Sequence, residues 1–175
     1  TDISWGTVSG GASSINGLSD AKTFGTGSIM LGDTTTGTLS NANYNIGIGV
    51  DMLHSLTSGY ANMAIGYESC KDLTTGHNNV AVGHATLYEN TSGEQNVAIG
   101  SNALQNNTTG DYNVAVGKSS MSANTTKHYS VGVGFEALKN EATSGSNTAV
   151  GGLAMMTSDG ASNCTAVGKQ TGYLH

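Results

Sequence analysis

Residues 79–117 read NVAVGHATLYENTSGEQ, then NVAIGSNALQNNTTGDY, then NVAVG. The phrase returns with a 17-residue period, and the glycine closing its NVAVG or NVAIG core recurs at Gly32, Gly49, Gly66, Gly83, Gly100, Gly117, Gly134, Gly151 and Gly168. No insertion breaks the ladder. A fixed period of this length is the mark of a solenoid, in which each repeat is one coil that buries its apolar side only by stacking on its neighbours.

Working outward from the anchoring glycine, counted as position 0, each position has its own chemistry. Position −1 is aliphatic throughout (Leu31, Ile48, Ile65, Val82, Ile99, Val116, Val133, Val150, Val167), and position −3 runs from Ile46 and Met63 through Val80, Val97, Val114 and Val131 to Thr148 and Thr165. Between them, position −2 is only Ala or Gly from Gly47 to Ala166. A period-two pattern with β-branched residues on one face predicts a strand. Position +4 (Leu53, Cys70, Leu87, Leu104, Met121, Leu138, Met155) adds a second apolar column to the core. Positions +8 to +10 read Thr-Ser-Gly or Thr-Thr-Gly in four repeats, a turn signal. Position −4 is Asn45, Asn62, Asn79, Asn96, Asn113 and Asn147, placed to bond along a stacked column and to a corner of the backbone.

The expected fold is all-β: a parallel β-solenoid, or β-roll, with one 17-residue coil per repeat, each coil holding two short strands and two turns. Residues 28–175 form the solenoid of about nine coils, spanning roughly 43 Å at ~4.8 Å per coil. Residues 1–27 do not fit the repeat, hold the single tryptophan Trp5, and are expected to form an N-terminal cap or connector over the first strand edge. The aliphatic columns at −1 and −3 are expected to face the core. The opposite face, with Ala64, Ala81, Ala98, Ala115 and Ala149, is expected to pack against two identical chains around a three-fold axis, because small residues allow backbones to approach closely.

Composition narrows the function. The net charge is −6, there is no Arg, and the six cations are all Lys. That excludes the clustered cations nucleic acid requires and offers no pull toward anionic membranes. No apolar run approaches the ~20 residues of a membrane span. Cys70 and Cys164 lie more than five repeats apart, so both are expected to be reduced. The sequence lacks G-x-S-x-G, H-E-x-x-H, C-x-x-C and Walker patterns, and the expectation is a protein without catalytic activity, cofactor or metal.

The phrase N-x-A-[V/I]-G-x-x-A-L-x-x-N-T-T-G-x-x, met almost as it stands at 96–112, resembles the 17-residue repeats of phage tail-fibre proteins. Its N-x-A-[V/I]-G core is also similar to the head repeat of trimeric autotransporter adhesins, which are left-handed trimeric β-rolls with shorter coils. The resemblance covers residues 28–175. It implies a homotrimer, joined to neighbouring fibre domains, on a virion or an extracellular surface. Fibres of this type carry host recognition at the distal end, and many have a self-cleaving C-terminal chaperone; the repeats correspond to neither.

Three function classes follow. The leading one is a rigid structural shaft. The second is an adhesin-like head that binds a cell-surface glycan or protein, with Lys127, His128 and Tyr129 as its contact residues. There Lys127 replaces the turn glycine, and Tyr129 follows Tyr112 in its column. The third is an ice-binding solenoid, raised by the stacked Thr57, Thr74, Thr91, Thr108 and Thr125. Adjacent Thr point to opposite sides of a strand, which argues against a flat ice face. Position +11 lines up Tyr60, His77, Glu94, Asp111 and His128. A straight column cannot surround a metal ion, so a solvated turn column is the plainer reading.

Overall fold

The computed structural model describes residues 27–32, 41–140, 145–157, 160 and 162–172, together with the backbone of residues 21–22. Its strands are β1 (Ala21–Lys22), β2 (Ile29–Leu31), β3 (Ile46–Ile48), β4 (Met63–Ile65), β5 (Val80–Val82), β6 (Val97–Ile99), β7 (Val114–Val116), β8 (Val131–Val133), β9 (Thr148–Val150) and β10 (Thr165–Val167). They form one sheet in sequence order. From β2 to β10 all pairings are parallel and shifted by one repeat, as in Val80↔Val97, Ala81↔Ala98 and Val82↔Ile99. The chain is therefore a parallel β-solenoid with one coil per repeat. β1 pairs antiparallel with β2, Ala21 opposite Leu31, and so occupies the outer edge of the first repeat strand. Trp5 and the rest of the expected cap lie outside the described residues.

The hydrogen bonding runs around the whole coil, not only along the strands. Between two neighbouring coils, Gly83 donates to Ile65 (2.8 Å), Ala85 to Tyr67 (2.9 Å), Cys70 to Thr86 (2.9 Å) and Thr74 to Thr91 (2.9 Å). The expected second strand is nevertheless absent among the described residues. Positions +2 and +4 sit in the left-handed region, for example Ala85 at φ 50° and Leu87 at φ 48°. Strands need φ near −120°. Alternating signs of φ curl this wall into stacked turns, each bonded to the coil above. A bulky residue in the left-handed region costs ~1–2 kcal/mol, offset here by hydrogen bonding and by burial: Leu53, Leu87, Leu104 and Leu138 are all fully buried.

Which residues fill the interior reverses the sequence expectation. Ala64, Ala81, Ala98, Ala115 and Ala149 are 0% exposed and belong to the chain's own core, not to an outer face. The columns at −1 and −3 point outward, with Ile48 and Ile99 about two-fifths exposed. The reason is thickness. The residues at +4, Leu, Cys or Met, cross the roll and fill it, leaving space opposite from β3 onward for no more than a methyl group. Even that is tight where the column holds glycine: a Cβ on Gly47 would lie 3.2 Å from the side chains of Met30 and Met52, and one on Gly132 2.9 Å from Met121 Cγ. The anchoring glycines are required for a different reason. Gly83 has φ +136°, and a Cβ there would lie 2.9 Å from the carbonyl carbon of Gly100 in the next coil.

The asparagine column forms as expected. Asn62 is 2% exposed. Its backbone N–H donates to Asn45 Oδ1 (2.9 Å). Its Nδ2 donates to the same oxygen (3.1 Å) and to the Gly76 carbonyl (3.0 Å). Its Oδ1 accepts the N–H of Asn79 (3.0 Å), and the pattern repeats at Asn79, Asn96 and Asn113. Ser130 enters the column by donating its N–H to Asn113 Oδ1 (3.0 Å). Each carboxamide thus satisfies, in a dry interior, backbone groups that the corner leaves outside the sheet ladder.

Candidate interaction surface

Two surfaces of the roll carry side chains able to meet a partner. The first is the outer sheet face. Because −3 and −1 both point outward from three-residue strands, two columns of Ile, Val and Met run side by side from β3 to β8, with Thr148 and Thr165 continuing the −3 column. Their side chains are half-buried or exposed in the single chain, reaching 40% for Ile99 and 69% for Val167. Exposed residues at −5 and +1 border this face, among them Tyr44, Tyr112 and Tyr129 on one side and Tyr67 and Phe135 on the other. The −5 residues are held outward by a left-handed backbone, φ 58° at Tyr112 and 61° at Tyr129.

The second surface is the turn column at +11. Tyr60 stacks on His77 with ring centroids 4.5 Å apart. His77 Nε2 lies 2.9 Å from Glu94 Oε2. The Glu94 N–H donates to Asp111 Oδ1 (2.8 Å), and the Asp111 N–H donates to His128 Nδ1 (2.9 Å). A nitrogen that accepts that bond carries no proton. The approach of His128 Nδ1 to Asp111 Oδ2 (3.3 Å) is therefore no ion pair while the ring is neutral. Each member of the column is thus tied to the next, and no three potential metal ligands converge among the described residues.

Lys127, His128 and Tyr129 are adjacent but differ in setting. Lys127 is built into the turn: its N–H donates to Asn124 Oδ1 (3.0 Å) and its carbonyl accepts Asn113 Nδ2 (2.7 Å). His128 belongs to the polar column. Tyr129 is 63% exposed and stacks on Tyr112 at 5.0 Å with planes 6° apart. The threonine column has its hydroxyls committed along the stack: Thr57, Thr74, Thr91 and Thr108 each donate from Oγ1 to the carbonyl of the threonine one coil on, at 2.9–3.1 Å. Cys70 and Cys164 are both free thiols; burial pushes the Cys70 thiol up to about 12. Sequence reasoning missed the aliphatic face. Its signal was present in the side-chain volumes: the aliphatic residues at −1 and −3 together with those at +4 would overfill a thin roll, whereas the small residues at −2 fit opposite them.

No family model, curated protein or solved structure matches this chain. Its functional reading therefore rests on the surfaces described above.

Proposed function

We propose that this chain is a rigid spacer segment of a homotrimeric fibre on a virion or other extracellular surface, of the phage tail-fibre kind, continuous with neighbouring fibre domains. The observation that carries the reading is the uncovered aliphatic face. A parallel sheet is ordinarily covered on both faces. Here the core covers one, and the other presents parallel columns of Ile and Val along the length of the roll. Such a face, contiguous and apolar, marks an interaction surface. A long strip that recurs coil after coil suits further copies of the same strip better than a compact partner. The axis of the assembly then lies against Val82, Ile99 and Val116, not against the alanines. Evenness supports the spacer role: binding sites are usually built from loops of unequal length on a scaffold, and the anchoring glycines never leave their 17-residue step.

The test is the mass of the chain in solution, followed by a cell-attachment assay with the assembled species. Three copies and no saturable attachment support the spacer; a single copy at micromolar concentration removes it. The adhesin reading is second, favoured by the exposed Tyr112–Tyr129 stack beside His128. Saturable attachment abolished by changes at Lys127, His128 or Tyr129 would promote it. The ice-binding reading is disfavoured by the commitment of the threonine hydroxyls to carbonyls of the next coil.

A further inference from the structure

We infer that His128 and Asp111 form a proton-operated latch between two neighbouring coils. Neutral His128 accepts a backbone hydrogen bond from the coil before it. On taking up a proton it releases that bond and turns its Nδ1–H onto the Asp111 carboxylate. His77, in the same column, keeps its bond in both states. The latch is independent of how many copies the assembly holds.

The geometry builds it from the backbone outward. Along this edge the amides of Thr109 and Tyr112 donate to the carbonyls of Thr125 (3.3 Å) and Glu94 (3.1 Å). Asp111, between them, donates instead to His128 Nδ1 at 2.9 Å. An imidazole nitrogen accepts only while it is unprotonated, so this bond requires the neutral ring with its proton on Nε2. The partner for the other state is already at hand, because Asp111 Oδ2 lies 3.3 Å from the same Nδ1. That carboxylate is held in place by its other oxygen, which accepts the Glu94 N–H at 2.8 Å. One proton on Nδ1 therefore exchanges an N–H···N bond for an N–H···O bond to a carboxylate, and leaves the Asp111 amide to water.

His77 is the internal comparison. Its Nε2 lies 2.9 Å from Glu94 Oε2. A carboxylate only accepts, so Nε2 donates whether the ring is neutral or charged. Protonation there adds charge without changing the partner.

Among the described residues, the titratable and charged groups around His128 are few. Asp111 and Tyr112 come from the coil before, and Lys127 and Tyr129 flank His128 in its own coil. From the coil after, the uncharged Gly145 lies over the His128 backbone. Glu94 stands one coil beyond Asp111. The output of the latch is local. The Tyr129 ring, 6.2 Å from the imidazole and stacked on Tyr112, stands in one state beside a neutral ring tied to the backbone and in the other beside a charged ring paired with Asp111.

The experiment is nuclear magnetic resonance of the full, nitrogen-15-labelled chain, titrated from about pH 8 to about pH 5, where imidazoles take up their proton. At the upper end the expected His128 ring carries its proton on Nε2, with a scalar coupling between the Asp111 amide nitrogen and Nδ1. As the ring titrates, the coupling should vanish and the Asp111 amide resonance should move with the same midpoint. Protection of that amide against hydrogen exchange should fall roughly two- to tenfold, the worth of one such bond. His128→Asn offers an oxygen where Nδ1 stood, as Asp111 does to the Glu94 N–H, so the Asp111 amide should then stay bonded throughout. His77→Gln should leave the step at Asp111 in place. The latch is overturned by a His128 ring protonated on Nδ1 at the upper end, or by an Asp111 amide that does not move while His128 titrates. A step that survives His128→Asn, or that disappears with His77→Gln, overturns it equally. The titration of the parent chain decides the question even if neither variant folds.

Discussion

Replacing Asn62 with alanine removes one rung of the asparagine column, and its cost can be worked out bond by bond. The Asn79 N–H loses its acceptor, Asn62 Oδ1 at 3.0 Å. The Gly76 carbonyl loses its donor, Asn62 Nδ2 at 3.0 Å. Both groups are buried, so water does not replace what is lost. Each unsatisfied buried polar group costs ~1–3 kcal/mol, giving ~2–6 kcal/mol for Asn62→Ala. Asn96 supplies an internal comparison. Its Nδ2 donates to the Gly110 carbonyl, but that oxygen also accepts Asn107 Nδ2 at 3.0 Å. Asn96→Ala therefore orphans one backbone group, the Asn113 N–H, and should cost ~1–3 kcal/mol. The coil of Asn62 has Leu73 where that of Asn96 has Asn107, so it has no such second donor. Urea unfolding of the two variants at equal concentration measures the difference, with hydrogen exchange at Asn79 and Asn113 reporting each rung. The reasoning is refuted if both variants unfold within ~0.5 kcal/mol of the parent, or if Asn96→Ala is the more destabilised.

Four further outcomes are expected. Ile99→Asp, which sets an acid on the outer face, should convert the assembly to single chains by light scattering while the strand signal in circular dichroism persists. Ala98→Leu instead overpacks the interior and should destabilise the chain by ~1–3 kcal/mol in any oligomeric state, measured by thermal unfolding. Gln95→Gly, at an exposed site with φ 54°, should raise stability by about 0.5 kcal/mol, since relief of ~1–2 kcal/mol of left-handed strain exceeds the ~0.4–1 kcal/mol of added unfolded-chain entropy. Cys70 makes stability fall with alkali: its folded value is raised from 9.0 to about 12, so across that window the unfolded chain has lost a proton that the folded chain keeps. The sign is negative, at most ~1.4 kcal/mol per pH unit, and Cys70→Leu should flatten this limb in urea titrations between pH 9 and 11.

Much of the fold was legible because a solenoid writes its geometry into a period. The unbroken glycine ladder set the length of one coil, and the alternation at −3, −2 and −1 located the strand. The asparagines at −4 announced a bonded column because that side chain carries both a donor and an acceptor. The inside and outside of the strand were not legible from alternation alone, since a period-two pattern is identical when turned over. The usual rule, that larger apolar residues face inward, failed at Val82 and Ile99 because Leu87 and Leu104 from the opposite wall already occupy the interior. The missing second strand has a different cause. Leu and Cys at +4 carry no left-handed preference, so the φ of 48–51° at Leu87, Cys70 and Leu104 is imposed by the stacking of coils and leaves no local mark. The candidate surface was read as Lys127, His128 and Tyr129, yet Lys127 is engaged in the turn through its backbone, which no side-chain pattern discloses.

The parallel register, shifted by one repeat at every pairing from β2 to β10, bears on how such a chain changes in evolution. Removing residues 79–95 would bring Asn96 into the place of Asn79 and Gly100 into that of Gly83, and every column would close again with like on like. A deletion one residue shorter or longer would displace every column downstream of it. Genetic exchange between misaligned copies of the repeat is thus tolerated in whole coils only. The length of the roll becomes a quantity adjustable in steps of ~4.8 Å, with no new interface to invent at each step.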